Sequence, residues 1–194
     1  MAAEIKIVEE AKAPLAMNPR KFALWLFMVT VGMLFAAWTS AYLVKRADTG
    51  WAEIILPWHF WLNTGLIALS SVTMVVATQA ARRNRGELVK VMMTLTAILG
   101  LSFLGGQLLA YGELIAMNQY FTGGNVSHSF MYVITGAHGL HVVSGVIVLV
   151  VTLVSALRNR VNSSNMTGIE MCGTYWHFLG ILWLYLFGFL LLYR

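Results

Sequence analysis

The chain has 194 residues, of which 59% are hydrophobic and only 11% carry a charged side chain. Soluble domains contain about 25% charged and about 45–50% apolar residues. This composition therefore excludes a soluble globular enzyme, a disordered chain and a disulfide scaffold. The one cysteine, Cys172, also excludes an internal disulfide or a cluster of several thiolates. The sequence predicts an integral membrane protein.

Five uncharged runs are each long enough to cross a hydrocarbon core of about 30 Å as a helix, which takes roughly 20 residues. Helices are expected because lipid cannot satisfy free backbone polar groups. The runs are residues 22–44, 57–81, 91–112, 130–157 and 171–193. We therefore expect an all-α, polytopic membrane protein in which residues 22–194 form a bundle of five transmembrane helices. Residues 1–21 form a tail of mixed charge.

The basic residues indicate how the bundle is oriented. Of the 13 Lys and Arg residues, ten lie in the tail, the second connector and the fourth connector, and three lie on the other side. The positive-inside rule therefore places the N-terminus inside and the C-terminus outside. This distribution accounts for the net charge of +5 without a nucleic-acid partner. Arg82, Arg83 and Arg158 lie at the inner side, where they are candidate contacts for lipid headgroups.

The span centres contain no Asp, Glu, Lys or Arg, and Glu113 and Glu170 stand only at span ends. An ion-coupled carrier usually has a charged group in mid-membrane, so a transporter is disfavoured. The uncharged polar residues inside the spans are expected to form interhelical hydrogen bonds. These residues are Asn63, Thr64, Ser70, Ser71 and Gln107.

Four histidines lie within the spans and raise the alternative of haem or metal ligation. At a rise of about 1.5 Å per residue, His141 and His177 fall near one depth, and His59 and His138 near another. His138 and His141 are separated by a rise of only about 4.5 Å, so two haems cannot stack there. A single haem remains possible in a membrane anchor for quinol-linked electron transfer. We favour buried histidines that donate hydrogen bonds across a tight helix contact.

Two segments carry specific patterns. Residues 135–142 read TGAHGLHV and are followed by Gly145, and residues 175–178 read YWHF after Glu170. They resemble the TGxHGLHV and YWHFVDVVWL motifs of subunit III of haem–copper terminal oxidases. The other matching positions are Asn63-Thr64 with Ser70-Ser71, and Phe103 with Gln107 and Tyr111. The residues that carry the two motifs are Thr135, Gly136, His138, Gly139, His141, Gly145, Glu170, Tyr175, Trp176 and His177.

The resemblance implies the five-helix form of this subunit, in a bacterial cytoplasmic membrane. It implies no catalytic residue and no haem or copper in this chain, because those cofactors belong to subunits I and II. Subunit III packs beside subunit I, binds phospholipid, and supports proton uptake and the stability of the catalytic centre. It can also belong to a larger respiratory assembly. The electron donor, cytochrome c or a quinol, stays open.

Three positions depart from the family pattern. Val31, Ala110 and Gly180 stand where the family usually has carboxylates. A role as a proton antenna through those groups is therefore not expected here, whereas the packing role is untouched. For packing, the face of His138 and His141 is expected against the fifth helix near His177. Because small residues allow close helix contact, large side chains at Gly139 or Gly145 are expected to disrupt assembly.

Overall fold

The computed structural model describes residues 18–159, 161 and 165–194. This part of the chain forms five α-helices and no strand. They are α1 (Pro19–Arg46), α2 (His59–Arg82), α3 (Gly86–Ala116), α4 (Val126–Leu157) and α5 (Thr167–Tyr193). Each helix is long and apolar enough to cross a membrane. The prediction of an all-α protein with five spans is confirmed.

The helices differ from the uncharged runs at their ends. α1 includes Lys45 and Arg46, and α3 begins at Gly86 and so includes Glu87 and Lys90. Helical hydrogen bonding does not end where the charges begin, because charged side chains at a helix end reach the polar interface. At their starts, the other four helices extend beyond the uncharged runs, whereas α2 begins two residues after its run, at His59 and not at residue 57. Of the predicted tail, residues 1–17 lie outside the described residues, and 19–21 belong to α1.

Four helices form a closed ring in which α2 packs on α3, α3 on α4, α4 on α5, and α5 on α2. α1 lies outside this ring, on the seam between α4 and α5. The most apolar stretch of α5 is therefore 56% buried, and that of α1 only 22%. Because α1 and α2 do not pack directly on each other, a space opens between them above α5.

Hydrogen bonds between side chains join the helices at several depths. Asn63 of α2 bonds to Gln107 of α3. Further along α2, Thr73 bonds to Thr96 of α3. Two buried tryptophans of α5 bond to α2: Trp176 donates to Ser70, and Trp183 donates to Thr64. The prediction of interhelical hydrogen bonds is therefore confirmed for Asn63, Thr64, Ser70 and Gln107.

Candidate functional site

Trp176 of α5 lies at the centre of the ring and is 1% exposed. Its indole Nε1 donates to Ser70 Oγ of α2 at 3.0 Å. Its ring occupies space that exists because Gly100 of α3 has no side chain, since a Cβ there would lie 2.5 Å from Trp176 Cη2. A Cβ at Gly145 of α4 would lie 2.6 Å from Leu179 Cδ1 and 3.5 Å from the indole. Two glycines and one serine thus enclose this tryptophan on three helices.

The glycines of the TGAHGLHV segment and the Gly145 that follows it do not share one contact. Gly145 faces α5, as expected for a close helix approach. Gly136 faces α3, where a Cβ would lie 3.6 Å from the Tyr111 hydroxyl. Nothing in the described residues lies within 4 Å of a Cβ built at Gly139, so no contact among them requires a glycine there. Gly139 therefore differs from Gly145, with which its motif grouped it, and Gly100 takes part in the close contact although it belongs to no motif.

Two hydroxyl pairs connect α4 to its neighbours. Tyr111 of α3 and Thr135 of α4 are joined by a 3.0 Å hydrogen bond between their hydroxyl groups. Tyr175 of α5 and Ser144 of α4 form a similar bond of 2.7 Å. Thr135 and Tyr175 of the two motifs therefore serve as contacts between helices.

His138 is completely buried, with aromatic rings on three sides. It stacks on Trp183 of α5 with ring centroids 5.3 Å apart. Phe103 of α3 and Phe35 of α1 present their edges at centroid distances of 5.9 and 6.4 Å. The sequence predicts the face of His138 against α5 near His177. In the structure His138 instead packs against Trp183 of α5.

The other three histidines each have separate surroundings. His59 Nδ1 lies 2.6 Å from Glu113 Oε2, between α2 and α3. His141 Nδ1 donates to the Ala137 carbonyl at 2.8 Å, and the ring packs on Phe27 and Phe35 of α1. The ring contacts of His141 in the described residues are thus with α1, whereas His177 lines the space between α1 and α2.

The expectation that the histidines form hydrogen bonds across a helix contact is confirmed for His59, whereas the bond of His141 to Ala137 lies within α4. It is wrong for His138, because neither ring nitrogen has a hydrogen-bond partner in the described part of the chain. The described residues contain no group of three or more His, Cys, Asp or Glu side chains that could hold a metal ion. Residue depth predicted that His141 could meet His177 and that His59 could meet His138. In the structure each of these four side chains has different neighbours.

We call the space between α1 and α2 the inner-end cavity, after the end of the bundle that the sequence predicts to face inside; α1 and α5 begin there and α2 ends there. Its volume is about 500 Å³. Glu170 of α5 accepts from Lys21 Nζ of α1 at 2.8 Å and from Arg82 Nη2 of α2 at 3.4 Å. The cavity is lined by Lys21, Leu24, Trp25, Val75, Thr78, Gln79, Arg82, Glu170, Met171, Gly173, Thr174 and His177.

Of the three arginines proposed for headgroup contact, only Arg82 is among the described residues that line this cavity. Arg83 and Arg158 are exposed residues that follow the ends of α2 and α4. Glu170 and His177 of the second motif both line the cavity, which the sequence analysis did not predict.

The three positions that lack the family carboxylates face the interior. Val31 is 3% exposed and Ala110 is fully buried. A Cβ at Gly180 would lie 3.3 Å from Ser71 Oγ, so an aspartate there would crowd α2. Small and apolar residues fill these positions as part of the packing.

The fold and these contacts define a class: a multi-pass helical membrane protein whose sequence motifs form contacts between helices. The family model described as cytochrome c oxidase subunit III matches residues 11–194. The chain belongs to this family.

Individual relatives agree. The chain is 27% identical to a "Cytochrome c oxidase subunit 3" of Alkalihalophilus pseudofirmus, over 84% of this chain and 81% of that protein. It is 30% identical to a protein of the same name from a Synechocystis species, over 87% of this chain and 73% of the relative. A "Probable quinol oxidase subunit 3" of Staphylococcus saprophyticus is 25% identical, over 88% and 87% respectively.

Proposed function

We propose that this chain is the non-catalytic third subunit of a proton-pumping haem–copper oxidase that reduces oxygen to water. The observation that carries the proposal is the family match over residues 11–194. The structure supports a packing role, since Gly145 and Trp176 make close interhelical contacts. Haem and copper belong to the partner subunits in this proposal, with subunit I as the main contact and subunit II as the second.

Two electron donors are compatible with this role. Relatives named as subunits of cytochrome c oxidases and of a quinol oxidase match over similar shares of the chain. We propose a cytochrome c oxidase as the first candidate and a quinol oxidase as the second. In both, donor chemistry lies in the partner subunits, so the role of this chain is the same.

The proposed location is the bacterial cytoplasmic membrane, with the N-terminus inside. The excess of Lys and Arg in the tail and in the even-numbered connectors supports this orientation. Lys21 and Arg82 at the inner-end cavity are consistent with it. The opposite end of α2 and α3 instead carries the His59–Glu113 pair.

Purification in mild detergent tests the assignment. We expect a tagged version of the chain to bring down partners that carry haem and copper, because a third subunit packs against them. Haem absorption and metal content are measured, with a strain that carries the untagged chain as control. Recovery of a colourless chain alone under several mild conditions would contradict the proposal. A haem in the isolated chain that is lost on His141→Ala would support the membrane-anchor alternative.

We further propose that the inner-end cavity binds a phospholipid. Its charged groups, Lys21, Arg82 and Glu170, lie at the helix ends, where the headgroup region is expected. Leu24 and Val75 provide apolar wall further along α1 and α2. This order of polarity matches a phospholipid, and the surplus positive charge of the three groups suits one phosphodiester.

We expect the double change Lys21→Gln with Arg82→Gln to remove one bound phospholipid from the purified oxidase, because both cations face the cavity. Native mass spectrometry and phosphorus content measure the loss. The matched control is Arg83→Gln with Arg158→Gln, which removes two exposed cations outside the cavity. Equal phospholipid content in the two double variants would show that the cavity does not hold the lipid.

A further inference from the structure

Three buried side chains on three helices have polar atoms without a hydrogen bond of normal geometry in the described residues, although Gln107 also interacts with the Tyr111 hydroxyl. They are Asn63 Oδ1 of α2, Gln107 Nε2 of α3 and both ring nitrogens of His138 of α4. Asn63 and His138 are fully buried, and Gln107 is 3% exposed. Buried polar atoms without a partner are rare in proteins, and each one calls for a physical explanation.

Two of these side chains, Asn63 and Gln107, meet between α2 and α3. Asn63 Nδ2 donates to Gln107 Oε1 at 3.3 Å, so the two amides are in contact. A Cβ at Gly106 would collide with the Asn63 amide, so a glycine there lets the asparagine lie flat against α3. The Asn63 and Gln107 side chains therefore occupy one space between α2 and α3.

Helix register and two contacts place His138 of α4 beside this space. On α3, Gln107 lies one turn from Phe103 on one side and one turn from Tyr111 on the other, so the three share a face. Phe103 packs on the His138 ring. Tyr111 bonds to Thr135, which lies one turn before His138 on α4. Gln107 is thereby held opposite the turn of α4 that ends at His138.

Trp183 of α5 provides an independent link. Its ring stacks on His138, and its Nε1 donates to Thr64 Oγ1 at 3.0 Å. Thr64 is next to Asn63 in the chain. One indole thus reaches from His138 to the Asn63 turn of α2.

The chemistry of the free atoms defines the ligand. Asn63 Oδ1 accepts, Gln107 Nε2 donates, and a neutral imidazole has one donor and one acceptor in either tautomer. The set therefore has no formal charge and contains both donors and acceptors. An ion finds no compensating charge here, whereas water both donates and accepts, and a buried water typically makes about three hydrogen bonds.

We propose that Asn63, Gln107 and His138 form an internal water-binding site between α2, α3 and α4. The bound water links the two amides to the imidazole and so fixes these helices relative to one another. The site accounts for a fully buried histidine without a metal or a haem. It does not depend on the identity of the electron donor or on the cavity at the inner end.

Hydroxyl-radical footprinting of the complete oxidase in ¹⁸O-labelled water tests the site, because radiolysis of an internal water oxidises the side chains beside it. The matched pair is Trp183 and Trp176, which lie on the same helix and are both 1% exposed. Trp176 bonds directly to Ser70, which lies about two helical turns from Asn63 along α2. We expect His138 and Trp183 to be oxidised several-fold more than Trp176. Equal oxidation of the two tryptophans would overturn the proposal.

The variant Gln107→Leu removes one of the hydrogen-bonding side chains of the site. We expect the oxidation of Trp183 to fall to the level of Trp176, and Thr94→Val, an exposed change on α3, to leave it unaltered. Strong oxidation of Trp183 that persists in Gln107→Leu would show that the amide does not hold the water. If this variant does not assemble, the comparison within the native protein decides the question alone.

Discussion

We expect Gly145→Leu to reduce the assembled oxidase strongly, and Gly139→Leu to leave the fold of this chain intact. A side chain at Gly145 would begin 2.6 Å from Leu179 and would also meet the Trp176 indole, both in the interior. Overpacking of this kind costs about 1–3 kcal/mol and sometimes more. At Gly139 the first atom of the added side chain would meet nothing within 4 Å among the described residues.

The pair is matched because both changes add the same side chain to the same helix. The amount of tagged chain in membranes and the haem that copurifies with it are measured for each variant. Equal, near-native levels would contradict the close packing at Gly145. A Gly139→Leu chain that accumulates but no longer copurifies with haem would instead locate a partner contact on that face of α4.

The number of helices could be predicted from sequence because hydropathy responds to lipid. Each of the five uncharged runs lies within or largely within one helix. The helix ends could not be predicted in the same way, because backbone hydrogen bonds continue past the last apolar residue. In α3 the helix begins at Gly86, ahead of Glu87 and Lys90.

The contacts of the histidines were harder to predict. Depth follows from residue counting, but a contact also requires that two side chains point towards each other around their helix axes. His141 and His177 lie at similar calculated depths, yet His141 packs on α1 and His177 lines the inner-end cavity. The stacking of His138 on Trp183 depends on how α4 and α5 are rotated. Residue counting contains no information on that rotation.

The role of Gly100 could not be predicted from the sequence either. A motif comparison identified Gly145 and Trp176, but the tryptophan also needs space on α3, and no motif covers Gly100. The available signal was a size argument: a tryptophan inside a helical bundle requires small residues on the facing helices. That argument predicts the type of residue and not its position, which depends on the register of α3 against α5.

The second large effect is expected for Trp176→Ala. Removing a buried tryptophan costs about 3–5 kcal/mol, because a cavity remains where its contacts were. The two glycines that enclose it, Gly100 and Gly145, have no side chains that could move into the space. Trp58→Ala is the control, since Trp58 is 59% exposed at the start of α2 and its removal leaves little cavity.

Trp176→Phe separates volume from hydrogen bonding. The phenyl ring keeps much of the packing but loses the bond to Ser70. Bonds between membrane helices average about 0.6 kcal/mol and reach about 1.7 kcal/mol. Ser70 Oγ also keeps its bond to the Ile67 carbonyl at 2.8 Å, which limits the loss. Thermal unfolding of the purified oxidase should therefore show a small decrease in midpoint for Trp176→Phe and a large one for Trp176→Ala. If Trp176→Ala unfolds at the same temperature as Trp58→Ala, the tryptophan does not hold the ring of helices together.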